Sequence, residues 1–500
     1  MKIILVSKCC LIISILLLVF SIGLIWQVSA QSEGLILKWE QHWDTYGYGG
    51  TCVPGGNNLA VKDVNGDGVK EIVTGGFAYT HMPNGSRMPS TAPLKIWRWD
   101  GQNLTLAKSS RWPGSISCVY VADIDGDVMN EIITAGVFRN ETGIYSSLRV
   151  WFWGNDELSL IAHYEGVSVS SIFVSDLDKG GKPEILTVGS LVSDSGSTAQ
   201  LCLWRLEQNG LILKGQAKLN AANVRRANSV YAFDLNNDRE IEIIVAGYSN
   251  DLKNSIGHLS VWRWDGQAFS LLDLTEWREI DGYGLNSAGG IQGNTVVSNM
   301  KVADVDGDGV PEIITAGFTY DGAKILGQLR IWNWSRSNLN LEKSREWENL
   351  DITQAESISV NDVDGDGKNE IVTSGYTAGY GSFAVGAENK TRAELKVWSW
   401  DGTTLILEHS KDWLVEEAAS ARNVDTGDLD DDGTVEIVTV GCIQLIDSRD
   451  CDPNLRIWAV ASEASTFPKN LIPLIAALAV VAISVTVTAF ILSKRKERKA

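Results

Sequence analysis

The chain has 500 residues, of which 44% are hydrophobic, and its formal net charge is −19 at pH 7. So acidic a chain argues against nucleic acid and anionic membrane surfaces as partners, and it fits a protein that binds metal cations or one that simply has a soluble exterior. The 48 glycines and 19 tryptophans favour an all-β fold that is rich in turns.

The first 30 residues have the order of a secretory signal peptide. Lys2 and Lys8 give a positive flank, an apolar run follows from Cys9 to Trp26, and the small residues Ser29 and Ala30 precede the predicted cleavage site. The apolar run is long for a signal peptide, so an uncleaved membrane anchor is the alternative.

An acidic sequence of nine residues then recurs seven times, at intervals of 53 to 70 residues. Oxygen-bearing side chains stand at positions 1, 3, 5 and 9, and a glycine at position 6 turns the chain in five copies. Turn formation alone would explain one Asp-Gly pair, but not aligned oxygens in seven copies. The side chains are Asp63, Asn65, Asp67 and Glu71; Asp123, Asp125, Asp127 and Glu131; Asp176, Asp178 and Glu184; Asp234, Asn236, Asp238 and Glu242; Asp304, Asp306, Asp308 and Glu312; Asp362, Asp364, Asp366 and Glu370; and Asp428, Asp430, Asp432 and Glu436.

Hard, oxygen-only ligands suit Ca²⁺ better than zinc or copper, so the loops predict structural calcium sites. The first, fifth, sixth and seventh copies keep all four side chains and the glycine, and we expect them to bind best. Val128 and Arg239 replace the glycine in the second and fourth copies, which strains the loop if position 6 needs a positive φ. Gly180 replaces the ligand at position 5 of the third copy, which should bind most weakly.

Each acidic loop lies between two apolar runs, and a third run with a Trp-x-Trp pair follows, as in Trp97–Trp99. Asp-Gly pairs such as Asp401–Gly402 then predict tight hairpins to a fourth, alternating strand. Four antiparallel strands repeated seven times predict an all-β fold, a seven-bladed β-propeller, over residues 31–461. We expect the tryptophan pairs to pack between blades rather than to form a carbohydrate platform, because they recur wherever the unit does.

The two ends of this region complete each other. The seventh unit has a third strand at Leu455–Trp458 but no fourth strand, and residues 34–43 resemble the fourth strand of the sixth unit, Leu405–Trp413. We therefore predict that residues 34–43 close the last blade and remove an open sheet edge.

The loops and their place between strands resemble the FG-GAP, or VCBS-type, repeats of integrin α subunits and microbial surface proteins, over about residues 34–461. In that family the loop joins the first two strands of a blade and holds Ca²⁺ through positions 1, 3, 5, 7 and 9. The resemblance implies additional ligands at position 7, the backbone carbonyls of Val69, Val310, Lys368 and Thr434.

The C-terminal segment predicts one membrane-spanning helix. Residues 462–470 form a linker, residues 471–492 carry no charge over 22 residues, and five basic residues follow in the tail, 493–500. By the positive-inside rule this tail is cytoplasmic, so the chain is predicted to be a single-pass type I protein of the cell membrane with its propeller outside.

An extracellular location fits two further features. Cys442 and Cys451 flank a short loop and could form a disulfide, whereas Cys52, Cys118 and Cys202 leave an odd number. Sequons for N-glycosylation begin at Asn84, Asn103, Asn140, Asn333 and Asn389.

The connections at the sheet edge opposite the acidic loops vary most in length, and Tyr376, Tyr380 and Phe383 there fit a ligand surface. We expect a cell-surface recognition, adhesion or scaffold protein whose ligand is an extracellular protein or glycan. Two alternatives stay open: a polysaccharide-active lyase or hydrolase, as some calcium-loop propellers are, and a structural envelope protein. The sequence has no nucleophile motif, phosphate loop or dinucleotide fingerprint in favour of an enzyme.

Overall fold

The computed structural model divides the chain into two units, Met1–Ile36 with Ala461–Ala500, and Leu37–Val460. In the first unit, the Ala461 amide donates to the Gly34 carbonyl at 2.9 Å. The predicted signal peptide, linker, spanning helix and tail lie outside the described residues. Within those residues, no helix has the length and apolar character to cross a membrane. The structure describes residues 34–42, 57–77, 91–140, 143–154, 157–193, 196–208, 210–219, 226–250, 255–278, 295–335, 337–379, 390–444 and 452–461.

Regular structure in these ranges consists of β-strands. The first half contains β1 (Leu35–His42), β2 (Leu59–Lys62), β3 (Glu71–Gly75), β4 (Thr91–Trp99), β5 (Leu104–Ala122), β6 (Glu131–Asn140), β7 (Gly143–Gly154), β8 (Glu157–Glu165), β9 (Ser171–Ser175), β10 (Glu184–Ser193), β11 (Gly196–Glu207), β12 (Gly210–Lys218) and β13 (Arg226–Phe233). The second half contains β14 (Glu242–Asn250), β15 (Ser255–Trp264), β16 (Phe269–Trp277), β17 (Thr295–Ala303), β18 (Glu312–Tyr320), β19 (Ile325–Ser335), β20 (Asn338–Trp347), β21 (Ile352–Asn361), β22 (Glu370–Ala378), β23 (Arg392–Trp400), β24 (Leu405–Trp413), β25 (Ala418–Gly427), β26 (Glu436–Gln444) and β27 (Asp452–Val460).

The strands repeat as antiparallel units of four, joined in chain order. Strands β9–β12 and β13–β16 form separate four-stranded sheets, whereas β17–β20 and β21–β24 are joined by one parallel pair, Ile325 with Ile352. Strands β2–β8 form one sheet because β5 ends the first unit and begins the second. The predicted all-β fold is confirmed, with antiparallel sheets of four to eight strands.

The last sheet takes strands from both ends of the sequence. Its order is β1-β27-β26-β25, so β1 is the outer strand beside β27. Glu40 on β1 accepts hydrogen bonds from Arg456 at 2.6 Å and from Asn454 at 3.2 Å, both on β27. The ring centre of Trp39 on β1 lies 5.8 Å from the ring centre of Trp99 on β4, in the first four-stranded unit.

Tryptophans of the third strands pack inside and between the units. In each third strand, the first tryptophan is buried and its indole donates to a Thr or Ser hydroxyl at 2.9–3.1 Å. A tryptophan at the end of a fourth strand packs on the next unit: Trp112 lies 4.6 Å from Trp151, and Trp347 lies 5.1 Å from Trp398. These positions match the predicted role in packing between units, where large aromatic surfaces are buried.

The first strands of all seven units line one cavity. Its volume is about 220 Å³, and its wall includes residues of β2, β5, β9, β13, β17, β21 and β25. The first and last of these strands are joined directly, since the Val61 amide donates to Asp425 at 2.9 Å and the Asn58 amide to Asn423 at 3.3 Å.

The described cysteines fall into two classes. Cys118 and Cys202 are buried and carry free thiols. Cys442 is disulfide-bonded, and its partner lies outside the described residues. The predicted pairing of Cys442 with Cys451 therefore stays a prediction.

Candidate metal centre in the acidic loops

Each acidic loop connects the first and second strands of its unit through eight residues. The aspartate at position 1 accepts a hydrogen bond from the amide of position 6 at 2.7–3.0 Å in all seven loops. The buried glutamate at position 9 accepts one from the amide of position 2 at 2.9–3.1 Å. The loop backbone therefore fixes two carboxylates in the same geometry in every unit.

Positions 4 and 6 have positive φ in all seven loops, which is why glycine is frequent there. Val128 at position 6 of the second loop has φ 77°, and Arg239 in the fourth has φ 71°. The predicted strain is thus present at both positions, and it costs about 1–2 kcal/mol for a residue with a Cβ. The two loops nevertheless keep the backbone of the glycine-containing loops.

Five loops bring three carboxylates together. In each, oxygens of three acidic side chains lie within 4.8 Å of one another, so these groups could hold a metal ion. The groups are Asp123, Asp125 and Asp127; Asp176, Asp178 and Glu184; Asp304, Asp306 and Asp308; Asp362, Asp364 and Glu370; and Asp428, Asp430 and Glu436.

The chain matches no protein-family model, and a search of the curated proteins finds no match. The chemistry of the loops therefore rests on the geometry of their own residues.

Among the described residues, the second, fifth, sixth and seventh loops make no ion pair with a basic side chain, although the charge of Lys182 acts on Asp125 in the second loop. Burial, and then repulsion from the loop aspartates, raises the pKa of Glu131, Glu312 and Glu436 to about 7. The same two causes raise the pKa of Glu370 to about 8, although a hydrogen bond from the Val363 amide acts to lower it. A cation among these carboxylates would relieve both effects, as expected of a metal site.

In the seventh loop, one carboxylate oxygen lacks the partner that a bound cation would supply. Asp430 Oδ1 is buried and has no hydrogen-bond partner among the described residues. Burial, and then Asp432 and Asp428, raises the pKa of Asp430. A buried carboxylate oxygen without a donor is unfavourable unless a cation satisfies it.

The other three loops contain an arginine where a metal would neutralise the carboxylates. In the first loop, Arg98 donates to Glu71 at 2.9 Å and to Asp67 at 2.8 Å. Arg205 donates to both Asp178 and Glu184 in the third loop. In the fourth loop, Arg263 lies 3.5 Å from Glu242, close enough for an ion pair, but Glu242 Oε1 is buried and has no hydrogen-bond partner among the described residues. The arginines stand directly after the first tryptophan of the third strand.

The electrostatics of the first and third loops differ accordingly. The pKa of Asp67 is lowered, because hydrogen bonds from Asn65, Val69 and Arg98 outweigh the effect of burial. The hydrogen bond from Arg205 lowers the pKa of Asp178. Asp67 and Asp178 are thus stabilised as anions by the protein itself, whereas burial raises the pKa of Glu71 in spite of Arg98.

These contacts change the ranking expected from the sequence. The first loop was expected to be among the best calcium sites, but the Arg98 guanidinium already pairs with two of its predicted ligands, Asp67 and Glu71. The second loop, doubted because of Val128, keeps the common backbone and carries no such arginine. The third loop keeps the lowest expected rank, now also because Arg205 pairs with Asp178 and Glu184.

The sequence did contain the signal for this difference. The residue after the first tryptophan of each third strand is Arg98, Arg205 or Arg263 in the arginine loops. It is Phe152, Asn333, Ser399 or Ala459 in the other four units. Only the sheet register shows that this side chain reaches the acidic loop.

The Asp-Gly hairpins lie beside the acidic loops. A Cβ atom built on Gly402 would lie 2.9 Å from Asp306 Oδ2, and one built on Gly101 would lie 2.6 Å from Asp430 Oδ2. The hairpin of one unit thus contacts the loop of the preceding unit, including the seventh and the first. Both connections occupy the same edge of the sheets, as antiparallel order requires.

The remaining predicted sites are partly outside the described residues. Asn84, Asn389, Tyr380 and Phe383 lie there, whereas Asn103 is exposed in a hairpin, Asn140 ends β6, and Asn333 is half-buried.

The position of Tyr376 contradicts its predicted place on the ligand surface. It is only 5% exposed and donates from its hydroxyl to Gln354 at 3.0 Å. Because β22 continues to Ala378, Tyr376 lies in a strand and not in a surface loop, and the Arg422 guanidinium of the next unit lies 4.8 Å from its ring centre.

Proposed function

We propose that the seven units close into one seven-bladed propeller. The cavity wall, to which every first strand contributes, supports a ring arrangement. So do the hydrogen bond from Val61 to Asp425, between the first and last units, and the place of β1 beside β27. A ring removes the open edges that a row of such sheets would have.

We further propose that the second, fifth, sixth and seventh loops bind Ca²⁺. All four offer only oxygen ligands, which are the ligands that calcium prefers. Their side-chain ligands are those predicted from the sequence, and in the second loop the residue at position 7 is Met129. The first, third and fourth loops use arginine in place of the metal.

Elemental analysis and calorimetric titration of the metal-free protein test this assignment. About four calcium ions per chain are expected. Seven ions would mean that the arginines do not replace calcium, and none would contradict calcium binding altogether.

The protein then serves as a calcium-stabilised recognition or adhesion module at the cell surface. The observation that carries this proposal is the contrast between the two edges of the sheets. The acidic edge has an eight-residue connection between the first and second strands of every unit, whereas the connections between second and third strands at the other edge range from two residues between β6 and β7 to 15 between β3 and β4. Uniform loops serve a repeated structural role, and different loops allow one asymmetric binding site. The sequence features of the two termini and the resemblance to FG-GAP repeats support the surface location.

A paired set of variants tests which edge binds. Replacing Tyr380 and Phe383 with Ala should weaken attachment of the protein to extracellular glycans or cells without changing its Tm. The matched set, Asp265→Ala with Asp401→Ala in the hairpins, should leave attachment unchanged. Loss of attachment only in the hairpin set would assign recognition to the acidic edge, and turnover of a polysaccharide by the purified protein would favour the enzyme instead.

A further inference from the structure

The cavity between the first strands has an asymmetric wall. Three aromatic side chains come from consecutive units, Tyr120, Phe173 and Tyr231, all lining the cavity. Phe173 lies 5.8 Å from Tyr120 and 4.1 Å from Tyr231, ring centre to ring centre. These rings form a continuous aromatic wall against which a flat, apolar body can pack.

Three charged side chains line the cavity, Lys62, Lys301 and Asp425. Asp425 is held by the protein: it accepts hydrogen bonds from the amides of Val61 at 2.9 Å and Thr426 at 3.0 Å, and from the Ser359 hydroxyl at 3.2 Å. Its position and charge are therefore fixed by donors other than Lys301.

Lys301 has no such partners. Within the described part of the chain, no hydrogen bond or ion pair involves its ammonium group, although the residue is largely buried. Burial lowers the pKa of Lys301, but the neighbouring Tyr231 and Asp425 outweigh this effect and raise it. The ammonium is consequently charged at neutral pH, and because no acceptor in the described residues hydrogen-bonds to it, its three donors are open to a bound anion.

We propose that this cavity binds a small organic carboxylate with a flat ring, its carboxylate on Lys301 and its ring on Tyr120, Phe173 and Tyr231. The volume of about 220 Å³ corresponds to about seven water molecules in the liquid, which is enough for an aromatic monocarboxylate. Lys62, an exposed side chain that also lines the cavity, adds positive charge at its wall and favours entry of an anion. This site is separate from the acidic loops and from the variable edge.

Benzoate is the probe, and benzyl alcohol is the neutral control of nearly equal shape. Titration of the purified full-length chain, followed by calorimetry and by saturation transfer to the probe's ring protons, should give saturable binding of benzoate. Benzyl alcohol should bind about tenfold to hundredfold more weakly, the range for losing one charged hydrogen bond. Equal binding of the two, or no saturable binding of benzoate, would overturn the proposal without any variant.

Variants then locate the site. Lys301→Met should weaken benzoate about tenfold or more and leave benzyl alcohol unchanged, whereas Tyr231→Leu should weaken both. Lys218→Met removes an exposed lysine of β12 and serves as the control, with no expected change. If Lys301→Met folds and binds benzoate as tightly as the wild type does, the carboxylate binds elsewhere and the proposal is wrong. If Lys301→Met does not fold, Lys301→Arg should retain the preference for benzoate over benzyl alcohol, and loss of that preference would count against the proposal.

Discussion

Removing Arg98 should make the first loop depend on metal. Its guanidinium is 40% exposed and pairs with Glu71, whose side chain is 0% exposed, and with Asp67, whose side chain is 43% exposed. Breaking a fully buried pair costs about 3–5 kcal/mol, and an exposed pair contributes about 0–1 kcal/mol. For this intermediate case we expect Arg98→Met to lower the free energy of unfolding by about 2–3 kcal/mol in chelator.

This loss should appear as a decrease of about 2–4 °C in Tm, since unfolding entropy is ~2.1 cal/mol/K per residue and the sheets span roughly 400 residues. Calcium should reverse it, because the first loop keeps Asp63, Asn65, Asp67 and Glu71. At a calcium concentration of ~100 Kd, one site adds about 2.7 kcal/mol.

Thermal melts with and without calcium measure the stability, and calorimetric titration counts the ions. Arg98→Met should bind one calcium more than the wild type. Ser399→Arg, the reciprocal change in the sixth unit, should bind one fewer, and exposed Arg345→Met should change neither quantity. An unchanged melt in chelator together with an unchanged calcium count for Arg98→Met would refute the view that this arginine replaces a metal.

Three further outcomes are expected. In melts with calcium, Asp306→Ala should lower Tm more than Asp178→Ala, because Asp178 pairs with Arg205 and does not bind a metal. The opposite order would contradict the ranking of the loops. The metal-free protein should lose stability as pH rises from about 4.5 to about 8, because Glu370 keeps its proton in the folded state over the range in which the unfolded chain has lost it; calcium should abolish this slope, and a metal-free Tm that rises over the same range would disprove the cause. Deleting residues 34–43 should cause aggregation by exposing the edge of β27, whereas a soluble variant with an unshifted melt would exclude a closing role for that segment.

The strand pattern and the acidic loops could be predicted because each depends on neighbouring residues. Apolar alternation has the period of a strand, and the oxygens at positions 1, 3, 5 and 9 stand within nine residues. Because the pattern repeats, the interpretation of one unit also supported the interpretation of the other six.

The arginine contacts could not be predicted in the same way. Arg98 reaches Glu71 across 27 residues, and the register of β3 and β4 decides which side chain lies over the loop. A register shift at Ile96 and Trp97 leaves Ala107 of β5 without a partner on β4 at this point, and no local pattern announces it. The prediction for Tyr376 was wrong for a related reason. The residue at which β22 ends determines whether Tyr376 lies in a strand or in a loop.

A sheet built from both chain ends also sets the order of folding. The Glu40–Arg456 contact joins residues 416 positions apart, and synthesis at ~5–20 residues per second separates them by about 20–80 s. During that interval β1 is a free strand that could pair with another chain. Lys38 and Glu40 place charges on it, and charged side chains are a common protection of exposed strands against such pairing. Glu40 thus has two successive roles, first keeping the nascent strand apart from other chains and then fixing it to Arg456.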